Sequence, residues 1–177
     1  ADTSIGGTPL VLLDVPGSTA TAVLEFGHSY DFLCCLDAAR LQFSQNGGGW
    51  TDIGTGRFLA NGYDDGSRNV WGGYGIRSAF TTRIDLSDFT SSSIRFRWVF
   101  SDASEAGISA GENGWFVDDI RIRFGDDVLL EEGFDTGYGP FSRAGQWTRR
   151  TDCASDNGCR GMDPPLMHAY DGVVTST

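Results

Sequence analysis

The stretch Gly114-Trp115-Phe116-Val117-Asp118-Asp119-Ile120-Arg121-Ile122-Arg123-Phe124 limits what this chain can become more than any other. Side chains on a pleated strand change faces at every residue, so Phe116, Ile120, Ile122 and Phe124 fall on one face and Arg121 and Arg123 on the other. That pattern predicts a half-buried β-strand, entered from the glycine-rich Gly111-Glu112-Asn113-Gly114. Strict alternation also predicts Asp118 on the apolar face. A carboxylate there loses its water and needs a cation, a donor network or a metal to remain charged. Asp119 points the other way, so the pair is expected at the rim of a sheet, where neighbouring loops add oxygens. Asp102 and Glu105 open the loop that returns to this strand and are the candidates to join them. Oxygen ligands without cysteine or histidine select calcium over a transition metal, although the spacing is not that of an EF-hand. The competing reading is a solvated acidic rim whose carboxylates pair singly with arginines.

The rest of the chain predicts more strands. Pro9 to Val15 ends in the turn pair Pro16-Gly17, and Ala20 to Tyr30 alternates with Leu24, Phe26, His28 and Tyr30 on one side. Ala39-Leu41-Phe43 runs into a turn at Asn46 to Gly49 and then Trp50. Ile76 to Asp85 and Ser93 to Ser101 are strands joined through Asp88-Phe89-Thr90, a turn with a tucked ring. Residues 1–8 are small and polar, which predicts a mobile arm. On its alternating strand, His28 reads as a hydrogen-bonded core residue. Gly54 to Tyr74 reads as a long irregular loop. Its Tyr63, Trp71 and Tyr74 either stack on a ligand, as in sugar-binding modules, or cover the end of the core. Twenty-five glycines and 12% aromatics in 177 residues fit one all-β domain, an antiparallel two-sheet sandwich.

Charge and cysteine narrow the function. The net charge is −11 and all thirteen basic residues are arginine. No basic stripe is available to neutralise phosphates, so nucleic acid is not an expected partner. No apolar run approaches the roughly 20 residues of a membrane span, so insertion is not expected either. Cys34, Cys35, Cys153 and Cys159 allow three disulfide pairings. Cys153 with Cys159 would close a small loop over Asn157-Gly158, and long-range pairing of each with Cys34 and Cys35 is the alternative. Their spacing does not suit zinc. Disulfides place the chain outside the cytoplasm, as a secreted protein. Catalytic motifs are absent: there is no His-Glu-x-x-His, no Gly-x-Ser-x-Gly and no phosphate-cradling loop. Adjacent pairs such as Asp64-Asp65, Asp126-Asp127 and Glu131-Glu132 face apart on a strand and cannot flank one glycosidic bond. The chain reads as non-catalytic.

Four stretches, in order, resemble one family. Ala22 to Asp31 is similar to an L-x-F-x-H-x-Y strand, and Leu41 to Trp50 to a hairpin with Asp/Asn-Gly-Gly before Trp. Ile84-Asp85-Leu86-Ser87 with Ile94 to Trp98 resembles a V-D-L-S and V-R-F-R pair, and Gly111 to Ile122 a G-x-G-W-F-V-D-D-I-R-I strand. Together they resemble the MAM modules (meprin, A5, mu) and related modules of secreted bacterial metallopeptidases. The resemblance implies a jelly-roll sandwich with its main module over residues 9–125. Residues 127–177, including Phe134-Asp135 and Leu166 to Gly172, resemble the family's opening strands moved to the C-terminus, as in a circular permutation. These strands are expected to complete the sandwich in cis or to fill a neighbouring copy. Exchange of that kind yields head-to-tail filaments. The expected function is extracellular assembly or adhesion, with other copies or a cell-surface glycan or protein as partner. The alternative is a carbohydrate-binding accessory module of a secreted enzyme.

Overall fold

The computed structural model describes residues 2–7, 10–12, 21–32, 38–72, 75–89, 92–101, 114–144, 147–151, 162 and 166–170. Their strands are β1 (Asp2–Gly7), β2 (Leu10–Leu12), β3 (Ala22–Phe32), β4 (Ala38–Gln45), β5 (Thr51–Asp52), β6 (Phe58–Ala60) and β7 (Trp71–Gly72). β8 (Gly75–Asp85), β9 (Ser92–Ser101), β10 (Gly114–Phe124), β11 (Asp127–Glu132), β12 (Phe141–Ala144), β13 (Trp147–Arg150) and β14 (Leu166–Tyr170) follow. All pair antiparallel in two sheets. The first runs β12-β1-β9-β4-β5, with β2 also on β9 and β7 on β4; the second runs β13-β14-β10-β3-β8-β6, with β11 also on β10. The expected all-β sandwich is what forms.

Alternation explains how the two sheets meet. β3 turns Leu24, Phe26, His28, Tyr30 and Phe32 inward, and β9 answers with Ile94, Phe96, Trp98 and Phe100, all buried. The rings interlock across the gap. Phe26 meets Trp98 edge-on at 5.4 Å between centroids, and Phe32 stacks on Phe100 at 5.3 Å. Such pairs add to area burial because the quadrupoles of offset or perpendicular rings attract. The turn after β4 uses Asn46 and Gly47, both at positive φ (51° and 74°), where asparagine and glycine carry the least steric penalty. Phe89 is tucked in as expected, in a single 3₁₀ turn over Ser87–Phe89.

The C-terminal strands complete the sandwich of their own chain. β11 returns along β10, β12 adds to β1 in the first sheet, and β14 lies against β10 in the second with β13 beyond it. One expectation fails at the other end. The polar arm is a strand: β1 pairs with β9 on one side and β12 on the other. Composition misleads there because a sheet ladder is built from backbone N–H and C=O groups, which small polar residues supply as well as apolar ones.

Candidate functional site

The site is made by an irregularity in β10. Asp118 stands opposite Gly27 of β3 and Arg121 opposite Glu25, so Asp119 and Ile120 together face the single residue Phe26. This is a β-bulge, and Asp119 in it takes a left-handed conformation, with φ 49°. One extra residue exchanges the faces of everything beyond it. Trp115 and Val117 before the bulge and Ile120 and Ile122 after it all belong to the core, whereas Phe116 packs outside with Leu166 and Met162. The strict alternation expected from the sequence is therefore broken. Asp118 shares the outer side of the second sheet with Phe116, and Met162 lies on that side with them.

The bulge coincides with a change of neighbour. β14 pairs with β10 as far as Val117, opposite Met167, and β11 takes over at Ile120, opposite Glu132. Between them the Asp119 N–H donates to Asp118 Oδ1 at 2.8 Å. Asp118 is 5% exposed, and this is the one donor its carboxyl has among the described residues. Burial pushes its pKa up to about 7; the N–H bond opposes the rise, and the charges of Asp119, Asp135 and Glu132 add to it. The carboxyl opens on a cleft of about 270 Å³ lined by Gly27, Ala79, Phe80, Thr81, Asp118, Asp119 and Met162. Met162, one of the lining residues, accepts the Ser29 hydroxyl at its Sδ at 3.1 Å.

Glu132 and Asp135 are held in place by backbone contacts. Glu132 Oε1 accepts the Phe134 N–H at 2.6 Å, and Arg149 donates to the carbonyls of Phe134 and Asp135. A Cβ at Gly133 would lie 3.4 Å from Asp135 Oδ2 and 3.8 Å from Asp119 Oδ1, so both carboxyls converge on that glycine. None of these four acids forms an ion pair among the described residues. Nor do any three His, Cys, Asp or Glu side chains there stand close enough to hold a metal ion together. The described oxygens fall short of the six to eight that calcium takes. Glu132 and Asp135 were not among the sequence candidates. Counting back across the Gly125-Asp126 turn would have brought Glu132 beside the bulge.

The other candidates fare differently. Asp102, Glu105, Tyr74, Cys34, Cys35, Cys153 and Cys159 lie outside the described residues. Trp71 is fully buried among Phe26, His28, Phe58, Tyr63 and Trp115, and its indole N–H donates to the Gly62 carbonyl at 2.9 Å. No ring face is left for a sugar. Tyr63 is partly buried, and its hydroxyl donates to the Leu41 carbonyl at 3.2 Å. These two rings close the core rather than stack on a ligand, because an indole and a phenol at the end of a sandwich bury more area by packing inward.

His28 is the fully satisfied core group its strand position predicts. The Trp115 indole N–H only donates, so it fixes His28 Nδ1 as acceptor at 3.0 Å. Nε2 then carries the proton and donates to Thr82 Oγ1 at 2.8 Å, and that hydroxyl donates to the Asn61 carbonyl at 2.8 Å. Burial, with the charge of Arg77, lowers the pKa of His28 well below its ordinary value. No protein-family model and no curated protein matches the chain.

Proposed function

We propose that this chain is a non-catalytic, MAM-like β-sandwich that works outside the cell in assembly or adhesion, with calcium completing the acidic cleft at the β10 bulge. One observation supports the cation: Asp118 is buried beside three further carboxyls with a single N–H donor and no arginine among the described residues. A divalent cation would supply the opposite charge that this grouping lacks. Asp118 and Asp119 provide two oxygen sources, and Asp102 and Glu105 are the further ones the sequence offers. The extracellular setting is read from the even cysteine count, and the assembly or adhesion role from the resemblance to modules of that type; because β11 to β14 close in cis, assembly would go through surface contacts and not through strand exchange.

The test is thermal melting of the purified chain with calcium or with chelator, at pH 8 and at pH 5. Calcium is expected to raise Tm at pH 8, where Asp118 is ionised, and to do little at pH 5, where it holds its proton. Asp118→Asn should remove the response. A melting curve that chelator leaves unchanged at pH 8 would take calcium out of the reading.

A further inference from the structure

We propose that the outer face of the second sheet pairs with the same face of a second copy of this chain, about a two-fold axis running along the strands. This goes beyond the assembly or adhesion reading, which leaves the partner open, and it needs no metal. The face carries one row of charges in register: Arg83 of β8, Glu25 of β3, Arg121 of β10 and Glu131 of β11. Their signs alternate across the sheet. Arg83 Nε lies 2.8 Å from Glu25, and Arg121 pairs with Glu131. The two flanking strands add aliphatic side chains. Leu59 of β6, beside Arg83, is 51% exposed, and Val128 of β11, on the same strand as Glu131, is 45% exposed with Leu129 next to it. Leu59 and Leu129 are each the extra residue of a bulge in an edge strand.

This part of the face is open. The side chains of Arg83 and Glu131 are 48% and 58% exposed, and those of Arg121 and Glu25 are exposed in part. Thr81, two residues along β8 from Arg83, is exposed as well. Among the described residues, Arg83 leaves both terminal nitrogens and Arg121 one of its two without an acceptor, and Glu131 keeps one oxygen without a donor. Val23, two residues along β3 from Glu25, is buried between the longer Asp85 and Arg123 that stand opposite it. The face closes toward the other end of β10, where Phe116 packs with Leu166 and Met162.

The order of the signs makes the face its own complement. A two-fold axis along the strands, between β3 and β10, reverses the row in the partner, so plus-minus-plus-minus meets minus-plus-minus-plus. Arg83 then faces the partner's Glu131, Glu25 faces the partner's Arg121, and each contact occurs twice. Leu59 at one end meets the partner's Val128 and Leu129 at the other. An axis along the row instead would set arginine on arginine and acid on acid. A guanidinium with N–H groups to spare bridges a second carboxylate, and a network of charges holds better than an isolated surface pair. Five strands spaced about 4.8 Å apart make the row about 19 Å wide, a small contact that depends on its charges. Because it is isologous, it closes at two copies.

The experiment is sedimentation velocity on the full chain, across concentration, at low and high salt. Wild type is expected to form dimers and nothing larger at low salt, and to come apart at high salt. Arg83→Glu sets acid against the partner's Glu131, and Glu131→Arg sets arginine against the partner's Arg83. Each alone should weaken the dimer at least about tenfold. Mixing the two variants should restore it, because in the mixed pair every charge again faces its opposite. That restoration also shows that both variants are folded. Dimers that persist in both single variants, a mixture that associates no better than its parts, or species larger than a dimer would each overturn the pairing. A wild type that is monomeric under every condition would overturn it too, and would leave adhesion to a different partner standing.

Discussion

His28 and Asp118 are near neighbours on paired strands: His28 stands opposite Val117, and the next pair along is Gly27 with Asp118. They face opposite sides of one sheet, and both are buried titratable groups. His28 has each ring nitrogen matched, through Trp115 on one side and Thr82 on the other. Among the described residues, Asp118 has one N–H and three carboxyls for company. A buried polar group with every hydrogen-bonding position matched adds rigidity; one short of donors is where a ligand or a proton must make up the difference. The bulge separates the two conditions. Without its extra residue, Asp118 could not sit outside while Ile120 stays inside.

The largest expected effect tests the satisfied member. Trp115→Phe deletes the indole N–H that fixes the His28 tautomer and leaves a small void among Trp71, Trp147 and His28. Urea unfolding should show a loss of about 2–4 kcal/mol. A loss below about 0.5 kcal/mol would mean that this chain of hydrogen bonds does not matter to the fold.

The next effect tests the unsatisfied member, and its sign depends on pH. The folded pKa of Asp118, about 7, lies above its ordinary 3.8. The native state therefore holds this proton longer, and its contribution makes stability fall as pH rises from about 4 to about 7. His28 acts in the opposite sense: its folded pKa lies below 6.5, so stability falls as pH drops below that value. Between about pH 4 and 6.5 the two slopes oppose each other. Without calcium, Asp118→Asn should stabilise the protein by about 1–3 kcal/mol at pH 8 and by almost nothing at pH 4, and should steepen the loss in acid. Denaturant midpoints across pH read all three outcomes, and a pH-independent effect would sink the account.

Gly139 sharpens the contrast through Glu132. It sits at φ 51°, and a Cβ there would come within 1.4 Å of Glu132 Oε2. Gly139→Ala should cost about 1–2 kcal/mol, part from the left-handed backbone and part from pushing the Glu132 carboxyl off the Phe134 N–H. It should also lower the pKa of Asp118 by moving one negative charge away, which NMR titration of the aspartate would detect. A variant as stable as wild type would show that Glu132 has room to move.

How much of this was legible depended on period and register. The alternation of β3 and β9 was plain, because Leu24, Phe26, His28 and Tyr30 fall at every second residue with nothing to interrupt them. β10 was legible as a strand and misleading in its faces. Nothing in Val117-Asp118-Asp119-Ile120 marks a bulge, since Asp119 adopts positive φ without help from glycine. Glu132 and Asp135 were hidden for a related reason: their nearness to Asp118 is set by where β14 stops and β11 starts along β10. That β1 is a strand was invisible in side chains because its pairing is between backbones. The pairing of acids with arginines on the outer face of the second sheet needed the register, which alone shows Glu25 standing between Arg83 and Arg121.

Glu25 provides the smallest test and the most direct control. It is an acid on the outer side of the same strand pair as Asp118, yet it stands between Arg83 and Arg121 and keeps its water in part. Ion pairs in that setting contribute little, because solvent already screens the charges and ordering long side chains costs entropy. Glu25→Gln should therefore destabilise by no more than about 1 kcal/mol, and added salt should shrink the loss further. Asp118→Asn, by contrast, should stabilise at neutral pH and respond weakly to salt. The two substitutions make the same chemical change, carboxyl to amide, on one face of one sheet. Opposite signs would show that the bulge, and not acidity as such, sets Asp118 apart; equal signs would reduce it to one more surface carboxylate.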